Sequence, residues 1–231
     1  MLQPPFDRYD FQTFDVLKKI LTANSNCIDI GAHKGEILRK ILKNAPNGRH
    51  FAFEPIPFLY KRLDAKFGRR VTVSDHALSD KAGTASFTVV KDRPAVSGFK
   101  GRTFDDRNYD SQLIEVKVDR LDDVIPDILA IDLIKIDVEG AELMVLSGAS
   151  EIIRKNKPVV LFEFGLGGSE QYGAAPEMMF DFFNSHGMVL STLQYFLAGY
   201  APLEKADFCG HYYKGYNYFF IAYDPSGKYL K

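Results

Sequence analysis

Cysteine is scarce in this 231-residue chain, which holds only Cys27 and Cys209. Cys27 sits in an apolar run and Cys209 in an aromatic-rich stretch that reads as a loop. Two such thiols make no disulfide framework and lack metal-ligand spacing, so they read as reduced thiols of a cytoplasmic protein. Long apolar runs are also missing. No stretch approaches the ~20 apolar residues of a membrane span, and the first ten residues carry Pro4, Pro5 and charges where a secretory leader would be apolar. The expectation is neither export nor a membrane span. Charge of one sign is absent too: 29 Lys plus Arg face 30 Asp plus Glu, for a net charge of -1. Such a balance offers no global attraction to a phosphate backbone or an anionic bilayer, so nucleic acid is not expected as a partner. There is no internal repeat or low-complexity tract.

What is present describes a globular chain with ample core material, 46% hydrophobic and 13% aromatic. Strand and helix patterns alternate along it, which predicts a doubly wound α/β fold with a mostly parallel sheet covered on both faces. One domain is expected over residues 1–231, with a helical segment in 1–26. There, Phe11, Phe14, Leu17, Ile20 and Leu21 recur at helical spacing. Strands are predicted at 27–30, 50–53, 71–73, 133–136, 159–162, 188–190 and 218–222. Helices are predicted at 36–42, 58–67, 141–153 and 176–185. Two alternating stretches, 84–90 and 113–118, predict an antiparallel insertion over 84–118. They flank a polar segment, 91–112, long enough to read as a candidate substrate loop.

The candidate site residues gather where predicted strands end. Asp29-Ile30-Gly31-Ala32-His33-Lys34-Gly35 lies at the first strand-to-helix turn, where a doubly wound sheet binds its nucleotide. Glycines there let the backbone approach a ligand. A dinucleotide fingerprint needs glycine at the first, third and sixth positions of that turn, and this chain has Gly31, His33 and Glu36. A phosphate-cradling loop ending in Gly-Lys-Ser/Thr is missing as well. Both omissions weigh against nicotinamide and ATP chemistry and leave an acidic-x-Gly-x-x-x-Gly turn, which need not be tuned to bind a pyrophosphate. Asp29 either faces a cationic ligand or hydrogen-bonds the turn, and His33 suits a turn position with positive φ.

Glu54 ends the second strand near the ~20-residue spacing at which an acid meets a ribose, and it reads alternatively as a cap for the next helix. Asp75, His76 and Ala77 follow the third strand, where a nucleobase would lie, and read otherwise as solvated loop. The fourth strand carries Lys135, Asp137 and Glu139 at alternate positions, with Glu142 in the following helix. Asp137 stands at the strand mouth as first candidate for a general base, with Glu139 and Glu163 behind it. Capping of the next helix is the alternative for this group. A hard cation held by Asp137 and Glu163 is the minority reading, and no metal is expected. His50 and His186 read as edge or surface residues, and His211 as part of a C-terminal aromatic loop.

Together these motifs resemble the FkbM family of methyltransferases. Residues 27–35 are similar to its first motif, Phe53-Glu54-Pro55 to its second and Ala77-Leu78-Ser79-Asp80 to its third. Ile134 to Glu142, reading IKIDVEGAE, is similar to its most recognisable stretch. The resemblance covers roughly residues 15 to 223. It implies a seven-stranded class I methyltransferase fold, S-adenosylmethionine as methyl donor, and a hydroxyl oxygen of a sugar or natural-product small molecule as acceptor. The family commonly has Asn where this chain has His33. Segments 91–112 and 165–175 are expected to contact the acceptor. The rival readings are a nucleotide-dependent oxidoreductase on the same sheet and a donor-binding scaffold without catalysis.

Overall fold

In the computed structural model, which describes residues 8–100 and 110–227, short apolar runs form a central sheet with helices on both faces. The chain opens with α1 (Arg8–Ile20), β1 (Cys27–Ile30), α2 (Glu36–Asn44), β2 (His50–Phe53), α3 (Pro57–Phe67) and β3 (Val71–Ser74). An insertion follows, made of β4 (Ala77–Leu78), β5 (Gly83–Val90), a 3-10 turn at Pro94–Val96 and β6 (Ser111–Asp119). Next come α4 (Leu121–Val124), β7 (Leu133–Ile136), α5 (Glu142–Ser147), α6 (Ser150–Asn156) and β8 (Val159–Glu163). The rest comprises a 3-10 turn at Ser169–Tyr172, α7 (Pro176–Ser185), β9 (Val189–Thr192), α8 (Leu193–Ala198), α9 (Lys205–Tyr213) and β10 (Phe219–Tyr223).

Among the described residues, seven strands pair in the order β3-β2-β1-β7-β8-β10-β9. β10 runs antiparallel to both its neighbours, and the other pairings are parallel. From β1 the chain winds outward through β2 and β3, then returns to lay β7 against the other side of β1. That reversal opens a crevice at the carboxyl ends of β1 and β7. Alternate side chains divide the core. Ile28, Ile30, Ile134, Ile136, Val160 and Phe162 pack with Val145, Ile153, Met179, Phe183 and Phe208 on one face. Cys27, Leu133, Val159 and Leu161 pack with Leu17, Ile20, Ile41 and Phe196 on the other. Strands buried on both faces are what near-continuous apolar runs such as Leu133-Ile134 and Val159-Val160-Leu161-Phe162 encode.

The insertion forms a second, three-stranded sheet in the order β4-β6-β5. β5 and β6 are antiparallel, as predicted, while the short β4 adds a parallel partner to β6. Of the candidate substrate loop, residues 101–109 lie outside the described residues.

Several local expectations are corrected. Phe11 is 58% exposed, and Tyr9, Thr13 and Val16 join Phe14 and Leu17 on the buried face of α1, which is therefore rotated from the face the aromatics suggested. The helix predicted over 141–153 is broken into α5 and α6. A Cβ at Gly148 would stand 2.0 Å from the Ser79 carbonyl oxygen, so the insertion's backbone presses on the helix there. Asp122 then caps the restart, its carboxylate accepting the backbone N–H groups of Glu151 and Ile152. Cys209 and His211 lie on a helix, α9, rather than in a loop. His50 is buried in an interior strand, its Nε2 2.8 Å from the Ala45 carbonyl oxygen, so it is neither an edge nor a surface residue.

Candidate active site

The crevice contains a cavity of about 340 Å³. Residues 30–34 after β1, 53–56 after β2, His76, Ala77 and Leu78 after β3, residues 137–139 after β7, and Glu163 at the end of β8 line it. Positive φ angles at Gly31 (70°), His33 (48°) and Gly35 (74°) shape the first turn. Only glycine fits at position 31, because a Cβ there would lie 1.9 Å from the Asp137 carbonyl oxygen. Gly35 has a different purpose from ligand approach. It lies outside the cavity lining, and a Cβ on it would meet Phe67 at 2.5 Å and Leu63 at 2.8 Å, so it lets α2 start close against α3. The turn then presents His33 to the cavity with its Nε2 shut from solvent and without a hydrogen-bond partner. Burial and neighbouring Lys34 lower the pKa of this imidazole, favouring its neutral form.

Glu54 is 4% exposed, and its carboxylate is oriented by two backbone donors. The His33 N–H donates to Oε2 at 2.8 Å and the Ile56 N–H to Oε1 at 2.9 Å. The capping reading of Glu54 is met in part, through the N–H of Ile56 at the start of α3, and the residue also lines the cavity. Burial pushes its pKa up to about 7, against the pull of those two N–H groups. Asp29 does not reach the cavity. It is fully buried beneath the turn, 3.5 Å from the Lys135 ammonium. Asp75 is exposed and off the lining, whereas His76 and Ala77 are on it, with His76 Nδ1 hydrogen-bonded to Asp119.

At the mouth of β7 the chain turns sharply through Asp137-Val138-Glu139-Gly140, with Glu139 at φ 59° and Gly140 at φ 109°. Asp137 does not cap the following helix, whose N-cap is Ala141 with no side-chain bond. Glu142 supports the turn instead, its Oε1 accepting from Val138 N at 3.1 Å and Gly140 N at 3.0 Å. A carboxylate oxygen from each of Asp137, Glu139 and Glu163 then lies within 4.8 Å of the others, a spacing that could hold a divalent cation. Lys135 is buried between strands, 3.5 Å from both Asp137 and Asp29. Burial works to lower its pKa, but the two carboxylates outweigh that and hold it above the usual value, so the group stays charged.

The candidate substrate segment, 91–112, supplies Pro94, Ser97 and Phe99 of one further wall, whereas the α1 residues, Phe87 and the start of β10 were not marked by the sequence. Tyr9, Asp10 and Thr13 of α1, Phe87, Pro94, Ser97 and Phe99 of the insertion, and Tyr218 and Phe219 at β10 complete it. Phe87 and Phe99 meet edge to face at 5.7 Å, and Tyr9 and Tyr218 at 4.4 Å. Periodicity marks such residues as core, and only the topology brings them to the crevice. Segment 165–175 is tied to the insertion at Lys100, whose backbone N–H donates to the Tyr172 hydroxyl at 2.8 Å.

A sequence model of the methyltransferase FkbM domain matches residues 29–196, from the floor of this turn to α8. The chain belongs to the FkbM methyltransferase family. Two curated relatives carry more specific names. The 31-O-demethyl-FK506 methyltransferase FkbM of Streptomyces tacrolimicus is 33% identical over 53% of this chain and 58% of its own. The 2-O-methyltransferase NoeI of Sinorhizobium fredii is 31% identical over 56% and 59% respectively. The chain thus spans about three fifths of the length of these relatives. A solved FkbM methyltransferase from Methylobacillus flagellatus superposes with a TM-score of 0.51 at 19% identity, covering 88% of this chain and 44% of the other, and shares its fold. Among the described residues of this FkbM-family chain, no helix is long and apolar enough to cross a membrane.

Proposed function

We propose that the chain transfers a methyl group from S-adenosylmethionine to a hydroxyl oxygen of a sugar or natural-product small molecule. The observation that carries this reading is Glu54, a buried carboxylate held by two backbone N–H groups and lining a cavity at the switch point of the sheet. Its remaining lone pairs suit the two hydroxyls of a ribose. The orphaned Nε2 of His33 and the close-packed turn at Gly31 add a polar partner and backbone approach beside it. The oxygen acceptor is supported by the relatives' names, one a 2-O-methyltransferase and one acting on an O-demethyl compound.

When bound, S-adenosylmethionine supplies an electrophilic methyl carbon on a good leaving group. The chain's own task is then to hold the acceptor oxygen in near-attack geometry and to take its proton. Asp137 is proposed as the group that accepts that proton, since it lines the cavity at the strand mouth with its side chain about one third exposed. Glu139 and Glu163, across the same space, orient the acceptor's hydroxyls. Tyr9, Phe99 and Tyr218 exclude water and offer flat apolar surface to the acceptor's scaffold. Calorimetry with S-adenosylmethionine, S-adenosylhomocysteine and NAD tests the donor. Binding of both methionine nucleosides with none of NAD is expected, and tight NAD binding without them would return the oxidoreductase reading.

A further inference from the structure

β7 carries a charge for which its packing gives no reason. Leu133, Ile134 and Ile136 are fully buried, and Lys135 interrupts them at 5% exposure, in register with the equally buried Asp29 of β1. Removing an ammonium and a carboxylate from water commonly costs more than their attraction returns, and apolar residues of similar volume often fold as well or better. Stability therefore does not account for the pair. Its connections suggest another purpose. Lys135 Nζ donates to the Gly31 carbonyl oxygen at 2.8 Å and, at 3.4 Å, to that of Ile30, while standing 3.5 Å from Asp137 Oδ2. One nitrogen thus touches the last residue of β1, the first residue of the turn after it, and the carboxylate at the mouth of β7. At that same place Gly31 leaves no room for a side chain beneath Asp137, so the two turns are pressed together.

We infer that Lys135 is a positioning residue, locking the turn after β1 and the Asp137 carboxylate into one geometry so that donor site and proton acceptor are set together. The inference rests on the methyl-transfer reading for its meaning, but its test does not require turnover. The double variant Lys135→Met/Asp29→Asn removes the ammonium and its buried counter-charge at once and strands neither. Amide hydrogen exchange of the ligand-free chain is the readout. Exchange about tenfold faster or more is expected at Gly31 and His33 and at Asp137 to Gly140, with Ile134 and Val160 in the sheet unchanged, the pattern of a local opening.

Wild-type exchange at both turns would overturn the inference. So would uniformly faster exchange with a lower melting temperature, because the pair would then only stabilise the sheet. Lys135→Gln/Asp29→Asn separates the two connections, since the glutamine keeps an N–H for the Gly31 carbonyl, carries no charge and leaves no buried carboxylate without its counter-charge. It is expected to loosen residues 137–140 while residues 31–35 stay protected, and protection of both turns would contradict the lock. A wild-type chain that binds no S-adenosylmethionine would remove the functional reading while leaving the exchange result standing, so the two failures are distinguishable.

Discussion

Glu54 shows how one buried side chain makes a site testable. Its two oxygens already hold the turn after β1 and the start of α3, so Glu54→Ala is expected to cost donor affinity and some stability together. Loss of hydrogen bonds to a charged acceptor is worth roughly 1.5 to 3 kcal/mol each. The pH dependence is more selective. Burial raises the carboxyl from 4.5 to about 7. The folded state therefore binds the proton more tightly than the unfolded state, and the stability contributed by protonated Glu54 is lost as pH rises from about 4.5 to about 7. If the ionised form is the one that accepts the ribose hydroxyls, donor affinity moves the opposite way. It should fall roughly tenfold between about pH 8 and pH 6, measured by calorimetry, and Glu54→Gln should flatten that dependence. A pH-independent affinity in the wild-type chain would mean that Glu54 serves the turn alone.

The elements behave as their local chemistry directs once contacts from distant segments are included. Strands buried on both faces were legible as apolar runs, and α2, α3 and α7 as periodic stretches bounded by glycine or proline. The carboxylates at strand ends were legible too, because Asp137 and Glu139 come just after the apolar β7 and Glu163 ends the apolar β8. The break between α5 and α6 was not, since it depends on Ser79 and Asp122, which are far from Gly148 in sequence. α9 was missed for a related reason: its face is aromatic and interrupted by Gly210, so composition suggested a loop. The sequence left Asp29 open between a ligand contact and a bond to the turn, and offered Glu142 as a helix-end charge. Burial beneath one turn and bonding under the other are tertiary facts that no spacing encodes. At this scale Asp122→Ala should lower stability by about 1 kcal/mol through loss of the cap on α6, read from the denaturation midpoint, while donor affinity stays unchanged. An unchanged midpoint would show that α6 starts without the carboxylate.

Across the whole molecule, winding in two directions from β1 gathers residues from α1, four strand ends, the insertion and β10 around one cavity. The side formed by the turns after β1, β2 and β7 is built from short local motifs, which is why the sequence reveals it. The opposite side is assembled from α1, the insertion and β10, segments far apart in sequence, and its aromatic surface emerges in the fold. The central claim is that this cavity carries a methyl group to oxygen with Asp137 taking the proton. Its most direct test is incubation of the chain with S-adenosylmethionine bearing a carbon-13 methyl and a panel of hydroxylated acceptors, read by nuclear magnetic resonance beside the Asp137→Asn variant. The account predicts a labelled methyl ether from the wild-type chain. It also predicts a rate lower by roughly two orders of magnitude in the variant, the usual scale for a positioned general base, at unchanged donor affinity. Label appearing only on nitrogen or carbon, or equal rates for the two proteins at saturating donor, would contradict it.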